Sequence, residues 1–189
     1  MSVMFQIPEV LTERLRLRLP VASDWPAFAA YRMSDHSKTV GGPFTQDEAF
    51  GELTSIIGQW QLRGYGRWMV ADRASDAPLG VVGIYHPGDW PEREIGWTVF
   101  KEAEGKGIAH EAALAARAYA YQHLGWDRIV SCVAPTNTRS AKLAQRMGCV
   151  KESTFHNDDL GTLDVWRHEA PDVAQHPQID IHIPREQAA

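Results

Sequence analysis

The stretch EGKGIAHEAALAA, residues 104–116, places two glycines on either side of a lysine, directly ahead of an alanine-rich run. Alanine has the highest helix propensity, so this run predicts a helix. Glycines at 105 and 107 let backbone amides approach a ligand with no Cβ in the way, and the positive end of the following helix attracts negative charge. The stretch therefore indicates a phosphate-binding loop, although glycines before a helix also occur in plain loops.

Two well-known phosphate motifs do not fit this loop. A Walker A loop needs G-x-x-x-x-G-K-[ST], but Gly107 follows Lys106 and Phe100 stands where the first glycine belongs. The dinucleotide fingerprint G-x-G-x-x-G fails because His110 replaces its third glycine. That fingerprint also follows the first strand of a parallel βαβ unit, which is not what precedes this loop. A nicotinamide-dependent oxidoreductase is therefore disfavoured.

The segments before the loop predict a sheet built mainly from antiparallel strands. Residues 13–19, ERLRLRL, alternate charged and apolar side chains as a half-buried strand does, and two helical segments follow. Three short runs rich in β-branched and aromatic residues come next: RWMVADR, PLGVVGIYHP and EREIGWTVF. The connections between these runs are too short for a crossover helix, so the runs should form an antiparallel meander.

The segments after the loop complete an α/β domain. They predict a helix from about Ile108 to His123, a strand, a helix capped by Asn137 and a final strand pair. We therefore expect one domain over residues 1–170, with a mixed, mostly antiparallel sheet flanked by helices and one parallel step around the central helix. Residues 171–189 are polar and interrupted by prolines, so we expect them to form a poorly packed tail.

Composition excludes several classes of function. The chain of 189 residues has a net charge of −5, which argues against a nucleic-acid partner. It contains no apolar run long enough to span a bilayer and no pattern of a signal peptide, so we expect no membrane partner. Two cysteines, Cys132 and Cys149, make neither a disulfide framework nor a metal quartet, and we assign no metal. These features predict a cytoplasmic protein, and a homodimer remains open.

Five ordered motifs resemble the GCN5-related N-acetyltransferases (GNAT), in particular their RimJ/RimL-like branch. The motifs are TERLRLR at 12–18, EIGW at 94–97, EGKGIAHEA at 104–112, NTRS at 137–140 and RMGC at 146–149. The resemblance implies a sheet with a central V-shaped splay that holds acetyl-CoA. It also implies direct attack of a primary amine, on a small molecule or a protein N-terminus, on the acetyl group.

The resemblance also implies which residues contact acetyl-CoA. The family's loop reads Gln/Arg-x-x-Gly-x-Gly/Ala, so Glu104 departs at the first position, where a carboxylate near a pyrophosphate is unfavourable unless it turns away. Contacts are expected from the strand before the loop, the loop itself and the next helix start. These cofactor-binding candidates are Trp97, Val99, Glu104, Gly105, Lys106, Gly107, Ile108, Ala109, His110, Asn137 and Ser140.

The reaction requires a neutral amine, a polarised thioester carbonyl and a protonated leaving thiolate. Glu94 is the first candidate for the base and His86 the second, although a solvated glutamate at a strand edge and a turn histidine are the plain alternatives. Many family members have a tyrosine as acid, but Ala144 occupies that position here. The branch has Asn-x-x-Ser instead, so Ser140 or a water molecule would protonate the thiolate, while Asn137 would contact the pantetheine.

The acceptor is the least defined part of the prediction. GGPF and RGYGRW are rich in glycine and aromatic residues, so Phe44, Tyr65 and Trp68 are candidates to line its pocket. Several acidic residues near the predicted site are compatible with a cationic amine: Glu48, Glu52, Glu92, Asp158 and Asp159. A catalytically silent CoA-binding regulatory protein is the alternative, because Glu104 is unusual and the tyrosine is missing.

Overall fold

Nine strands form one continuous mixed sheet in the computed structural model, which describes residues 7–174 and 176–183. The strands are β1 (Glu9–Leu11), β2 (Leu15–Arg18), β3 (Arg67–Asp72), β4 (Pro78–Tyr85), β5 (Glu94–Val99), β6 (Val130–Val133), β7 (Val150–Asn157), β8 (Gly161–Arg167) and β9 (Asp180–His182). Their order across the sheet is β7-β8-β6-β5-β4-β3-β2-β1-β9. Among these strands, β5 and β6 form the parallel pair, and the other neighbours are antiparallel.

Within the described part of the chain, four α-helices flank the sheet: α1 (Trp25–Arg32), α2 (Gln46–Arg63), α3 (Ile108–Ala118) and α4 (Thr138–Arg146). Thr45 and Glu48 cap the start of α2 reciprocally, as the sequence TQDE predicts, and Gly64 ends it with a φ of 71°. A π-helical turn over Tyr119–His123 extends α3, which agrees with the predicted end of that helix. The meander and the parallel step around α3 are therefore confirmed.

The two faces of the sheet carry different helices. The alanines that fill the buried face of α3, among them Ala112 and Ala116, are fully buried against strands that include β4 and β5. Trp68 and Val70 of β3 belong to that core, whereas Met69 packs with α1 and α2 in a second cluster. Because side chains alternate along a strand, α1 and α2 cover the face opposite to α3.

The region after residue 170 corrects the prediction of a poorly packed tail. Strand β9 pairs antiparallel with β1 at the edge of the sheet. Ala174 is 7% exposed, and Ile179 and Ile181 pack against the main core. The alternating isoleucines of QIDIHI, residues 178–183, were the available signal, but a three-residue strand is recognisable only once its partner edge is known. Residues 175 and 184–189 of the predicted tail lie outside the described residues.

Candidate functional site

Strands β5 and β6 separate soon after they meet. Their ladder has one register pair, Glu94 opposite Val130, and the Val130 amide donates to the Arg93 carbonyl at 3.1 Å. One step further, the hydroxyl of Ser131 donates to the Ile95 carbonyl at 2.7 Å. Both strands then line a cavity of about 800 Å³. A V-shaped gap therefore opens between β5 and β6, with Glu94 at its vertex.

The backbone of β5 leaves hydrogen-bonding groups directed into this gap. Amide and carbonyl of one residue point to the same side of a strand, and this side alternates along the chain. The Arg93 and Ile95 carbonyls face β6, and the Phe100 amide faces β4. The backbone groups of Trp97 and Val99 consequently face the gap, which is where the sequence analysis expected a cofactor to pair with them.

A buried histidine stabilises the vertex of the gap. Since Ser131 donates its proton to Ile95, its oxygen accepts from Nε2 of His168, which lies 2.9 Å away. Burial, with a smaller contribution from the Arg117 and Arg167 charges, lowers the pKa of His168 to about 3. His168 is thus neutral in the folded protein and protonated on Nε2.

The glycine loop has the backbone conformation that its sequence implies. Gly105 and Gly107 have φ angles of 74° and 78°, in the left-handed region that side chains with a Cβ seldom occupy, and Gly107 is the N-cap of α3. On one side of the loop, Arg14 donates to the Lys106 carbonyl at 3.0 Å. Arg14 also pairs with Glu111 of α3 at 2.6 Å. The loop is therefore held in place at the start of the helix.

The unusual glutamate of this loop has a partner. The Glu104 carboxylate pairs with Arg139 of α4 at 2.9 Å. The negative charge that would oppose a pyrophosphate is thereby compensated by a neighbouring guanidinium. The departure from the family's loop pattern is compatible with anion binding for this reason.

Glu94 lies in the cavity as a buried carboxyl group. Its side chain is 7% exposed, and its Oε2 accepts a hydrogen bond from the Cys132 amide at 2.8 Å. Burial raises the pKa of Glu94 above its ordinary value. A carboxylate with a raised pKa is a stronger base, and it retains the proton that it takes for longer.

Ser140 and Asn137 also line the cavity, at the start of α4. The Asn137 side chain caps this helix by accepting from the Ser140 amide at 3.1 Å, so its role as a cap is observed. The Trp97 indole donates to the Ser140 hydroxyl oxygen at 3.1 Å. The hydroxyl proton of Ser140 is consequently left to donate to another group.

Three of the predicted site residues lie elsewhere than expected. Trp68 is fully buried on the α3 side of the sheet, where its indole donates to the Pro8 carbonyl at 2.8 Å. Tyr65 packs edge-on against Trp126, with ring centroids 4.9 Å apart. His86 contacts Arg63 at 3.0 Å, and burial together with the Arg63 charge lowers its pKa.

Strand alternation explains this correction. The side chains of Arg67 and Tyr85 point towards the cavity, whereas those of their neighbours Trp68 and His86 point away from it. Phe44, by contrast, lines the cavity as predicted.

Two arginines of the cavity wall were not predicted from the sequence. Arg32 ends α1 and Arg67 begins β3, and both contact the Glu52 carboxylate of α2. Glu52, expected as an acidic contact for a cationic amine, is instead shared between two guanidinium groups. The available signal for Arg32 was its position four residues after Phe28, on the apolar face of its helix.

Comparison with known proteins agrees with this geometry. A family model described as an acetyltransferase (GNAT) domain matches residues 14–150. The uncharacterized N-acetyltransferase p20 of Bacillus licheniformis is 30% identical over 151 residues, which is 77% of this chain and 84% of the relative. An acetyltransferase structure from Agrobacterium tumefaciens is 34% identical with a TM-score of 0.80, covering 89% of this chain and 98% of its own.

A third protein has the same fold at lower identity. The structure of RimL, a ribosomal L7/L12 alpha-N-protein acetyltransferase in complex with coenzyme A, has a TM-score of 0.67 at 18% identity, over 83% of this chain and 94% of its own. From the family match and the close relatives, the chain belongs to the GNAT acetyltransferase family. It is an acetyl-CoA-dependent N-acetyltransferase, so the family and the fold predicted from sequence are confirmed.

The described residues contain neither a membrane-spanning helix nor a cluster of metal ligands. Within residues 7–174 and 176–183, no helix is both long and apolar enough to cross a membrane. Over the same ranges, no group of three or more histidine, cysteine or acidic side chains is placed to hold a metal ion.

Proposed function

We propose that this enzyme transfers an acetyl group from acetyl-CoA directly to a primary amine, of a small molecule or a protein N-terminus, in the cavity between β5 and β6. The observation that carries the proposal is the gap that opens beyond the Glu94–Val130 pair, with a buried carboxyl at its vertex. The RimL structure with coenzyme A supports it, because that protein has the same fold and acts on an N-terminal amine.

The loop and the gap offer matching contacts for acetyl-CoA. The backbone around Gly105 and Gly107, with the first amides of α3, would hold the pyrophosphate. The gap-facing backbone groups of Trp97 and Val99 would pair with the pantetheine amides and help to polarise the thioester carbonyl. The remaining candidates of the loop, Glu104, Lys106, Ile108, Ala109 and His110, would flank the pyrophosphate. Asn137, which lines the cavity, would contact the pantetheine.

The proposed chemistry is a single displacement. The nitrogen of the neutral amine forms a bond to the acetyl carbon and gives one proton to Glu94, and the carbon–sulfur bond breaks. Glu94 then releases this proton to solvent. The Ser140 hydroxyl, whose oxygen accepts from Trp97, gives its proton to the leaving thiolate and regains one from solvent. A water molecule is the alternative donor in this last step.

The state of Cys132 supports direct attack over an acetyl-cysteine intermediate. This thiol lies in the cavity wall next to Glu94. Burial and the Glu94 charge raise its pKa, so it stays a protonated thiol and a poor nucleophile. The pairing of Glu104 with Arg139 also removes one reason to consider a catalytically silent CoA-binding protein.

Release of free CoA thiol from acetyl-CoA over a panel of primary amines tests the proposal. Gly107→Glu should abolish acetyl-CoA binding and turnover, because it places bulk and charge at the pyrophosphate. Gly64→Glu is a matched control, since Gly64 also has a positive φ of 71° but ends α2. If the unaltered enzyme bound acetyl-CoA yet acetylated no amine, or if both variants bound it equally well, the proposal would be wrong.

A further inference from the structure

The cavity wall opposite the gap contains a cluster of two arginines and one glutamate, which we call the arginine cluster (Arg32, Glu52 and Arg67). Both guanidinium groups donate to the same atom, Oε1 of Glu52: Arg67 at 3.1 Å and Arg32 in a close contact. The side chain of Arg32 is 3% exposed and that of Arg67 is 13% exposed. The cluster therefore holds two positive charges and one negative charge away from bulk water.

The hydrogen-bonding capacity of the cluster is only partly used. Among the described residues, Nε of Arg32, Nε of Arg67 and Oε2 of Glu52 are buried without a hydrogen-bond partner. Each guanidinium has five N–H donors, and one donor of each is hydrogen-bonded to Glu52. Burial also lowers the pKa of Arg32, as expected for a cation with incomplete compensation.

Aromatic rings hold the two guanidinium groups in position. The Cζ atom of Arg67 lies 4.6 Å from the ring centroid of Tyr85. That of Arg32 lies 5.5, 5.9 and 5.4 Å from the rings of Phe28, Tyr31 and Phe44. Such contacts favour the cation but accept no hydrogen bonds, so they orient the donors without satisfying them.

The cluster faces the same side of the sheet as the proposed base. Arg67 is opposite Gly83 on β4, Tyr85 is two residues further along β4, and Tyr85 is opposite Glu94 on β5. Residues directly opposite each other, and residues two apart, share a face. Arg67 and Glu94 thus lie two strand spacings apart and two residues out of register, about 12 Å between their backbones, with Tyr85 on the strand between them.

From this juxtaposition, and resting on the proposed function, we propose that the acceptor is a small amine that also carries a carboxylate, such as a free amino acid. Its carboxylate binds Arg32 and Arg67 and compensates the excess charge of the cluster. Its amine points towards Glu94 and the thioester. Arginine suits this role because its planar fork matches a carboxylate in geometry. A peptide N-terminus lacks such a carboxylate unless a nearby side chain supplies one.

The test compares each amino acid with its C-terminal amide, which lacks only the negative charge of the carboxylate. Free α-, β- and γ-amino acids and their C-terminal amides are assayed for thiol release, and for binding to the protein–CoA complex by calorimetry. We expect kcat/KM for the best acid to exceed that for its amide by about 10- to 100-fold, as for a charged hydrogen bond. Amine reactivity alone favours the amide, because its amine is less basic. The expected preference for the acid is therefore the opposite of what amine reactivity alone would give. A dipeptide with an acidic second residue shows whether a side-chain carboxylate also suffices.

Arg67→Gln tests the cluster itself. It leaves Arg32 and Glu52 as a charge-balanced pair, so the fold should tolerate it, and it should remove most of the preference for the acid. Arg16→Gln is the matched control, because Arg16 pairs with Glu9 and Asp76, which lie outside the cavity wall. If circular dichroism shows that Arg67→Gln is unfolded, the acid–amide comparison on the unaltered enzyme still decides the matter.

The outcomes separate this inference from the proposed function. Equal transfer to acids and amides overturns the inference and leaves the acetyltransferase mechanism intact. Binding of acids over amides with no turnover on any amine supports the arginine site and overturns the mechanism. Absence of both binding and transfer for every acid overturns the inference. An acid preference that is undiminished in Arg67→Gln also overturns it, because Arg67 would then take no part in binding the carboxylate.

Discussion

At the scale of single residues, Glu94 is the group on which the proposed mechanism depends. Glu94→Gln keeps the shape of the side chain and its acceptor oxygen but cannot take a proton, so kcat/KM should fall by about 100- to 1,000-fold. Affinity for CoA should change little. Because the base acts only when ionised, kcat/KM of the unaltered enzyme should rise with pH through the raised pKa of Glu94.

Steady-state assays over a range of pH check this prediction. Asp159→Asn is the control, since Asp159 also lines the cavity but is exposed. Loss of activity in both variants to a similar extent would indicate a general effect of cavity charge. A Glu94→Gln enzyme with nearly normal kcat/KM would leave water as the base.

The ion pair of Glu104 with Arg139 gives a second prediction at the same scale. Arg139→Ala leaves a carboxylate uncompensated beside the proposed pyrophosphate site, so CoA affinity should weaken by about 3- to 10-fold at low salt, a modest effect because the pair is partly exposed. The double variant Glu104→Gln/Arg139→Ala should recover most of that affinity. Calorimetric titration with CoA measures both. If the double variant stays as weak as Arg139→Ala, Arg139 itself binds the phosphates.

At the scale of elements, β9 should contribute to stability although it is only three residues long. Ile181 packs against the core, so Ile181→Ser should lower the free energy of unfolding by about 1–2 kcal/mol. Ile183 is 54% exposed, and Ile183→Ser should change the free energy of unfolding by less than about 0.5 kcal/mol. Urea denaturation of both variants makes the comparison. Equal changes in the free energy of unfolding for the two variants would mean that β9 does not pack against β1 and the core in solution.

The elements also show what the sequence could and could not predict. The meander, the capped start of α2 and the glycine loop follow from local patterns, because turns, caps and left-handed glycines are encoded by adjacent residues. The arginine cluster joins α1, α2 and β3, so no spacing along the chain encodes it. His86 and Trp68 were misplaced for a related reason: the face of a strand that borders a cavity depends on which helices cover it.

At the scale of the whole molecule, the gap between β5 and β6 interrupts the sheet where continuous pairing would be most stable. Hydrogen bonds next to the gap can compensate for the backbone pairing that is lost within it. Here the contact runs from the end of β8 through His168 and Ser131 to Ile95 of β5. The site therefore depends on a neutral buried histidine, and this dependence should appear in global stability.

The sign of that pH dependence follows from the lowered pKa. Folded His168 has a pKa of about 3, against 6.5 ordinarily, so between these values only the unfolded chain takes up the proton. The stability that this residue contributes is complete above about pH 6.5. Below that pH it decreases by up to about 1.4 kcal/mol per pH unit.

His168→Gln can still donate to Ser131 but does not titrate. Between pH 7.5 and 5, the unaltered protein should lose about 2 kcal/mol more than this variant in urea denaturation. Carboxyl groups titrate equally in both proteins, so their effect cancels in the difference. The exposed His36, changed to Gln, should follow the unaltered protein, and the same slope in all three proteins would contradict a buried neutral His168.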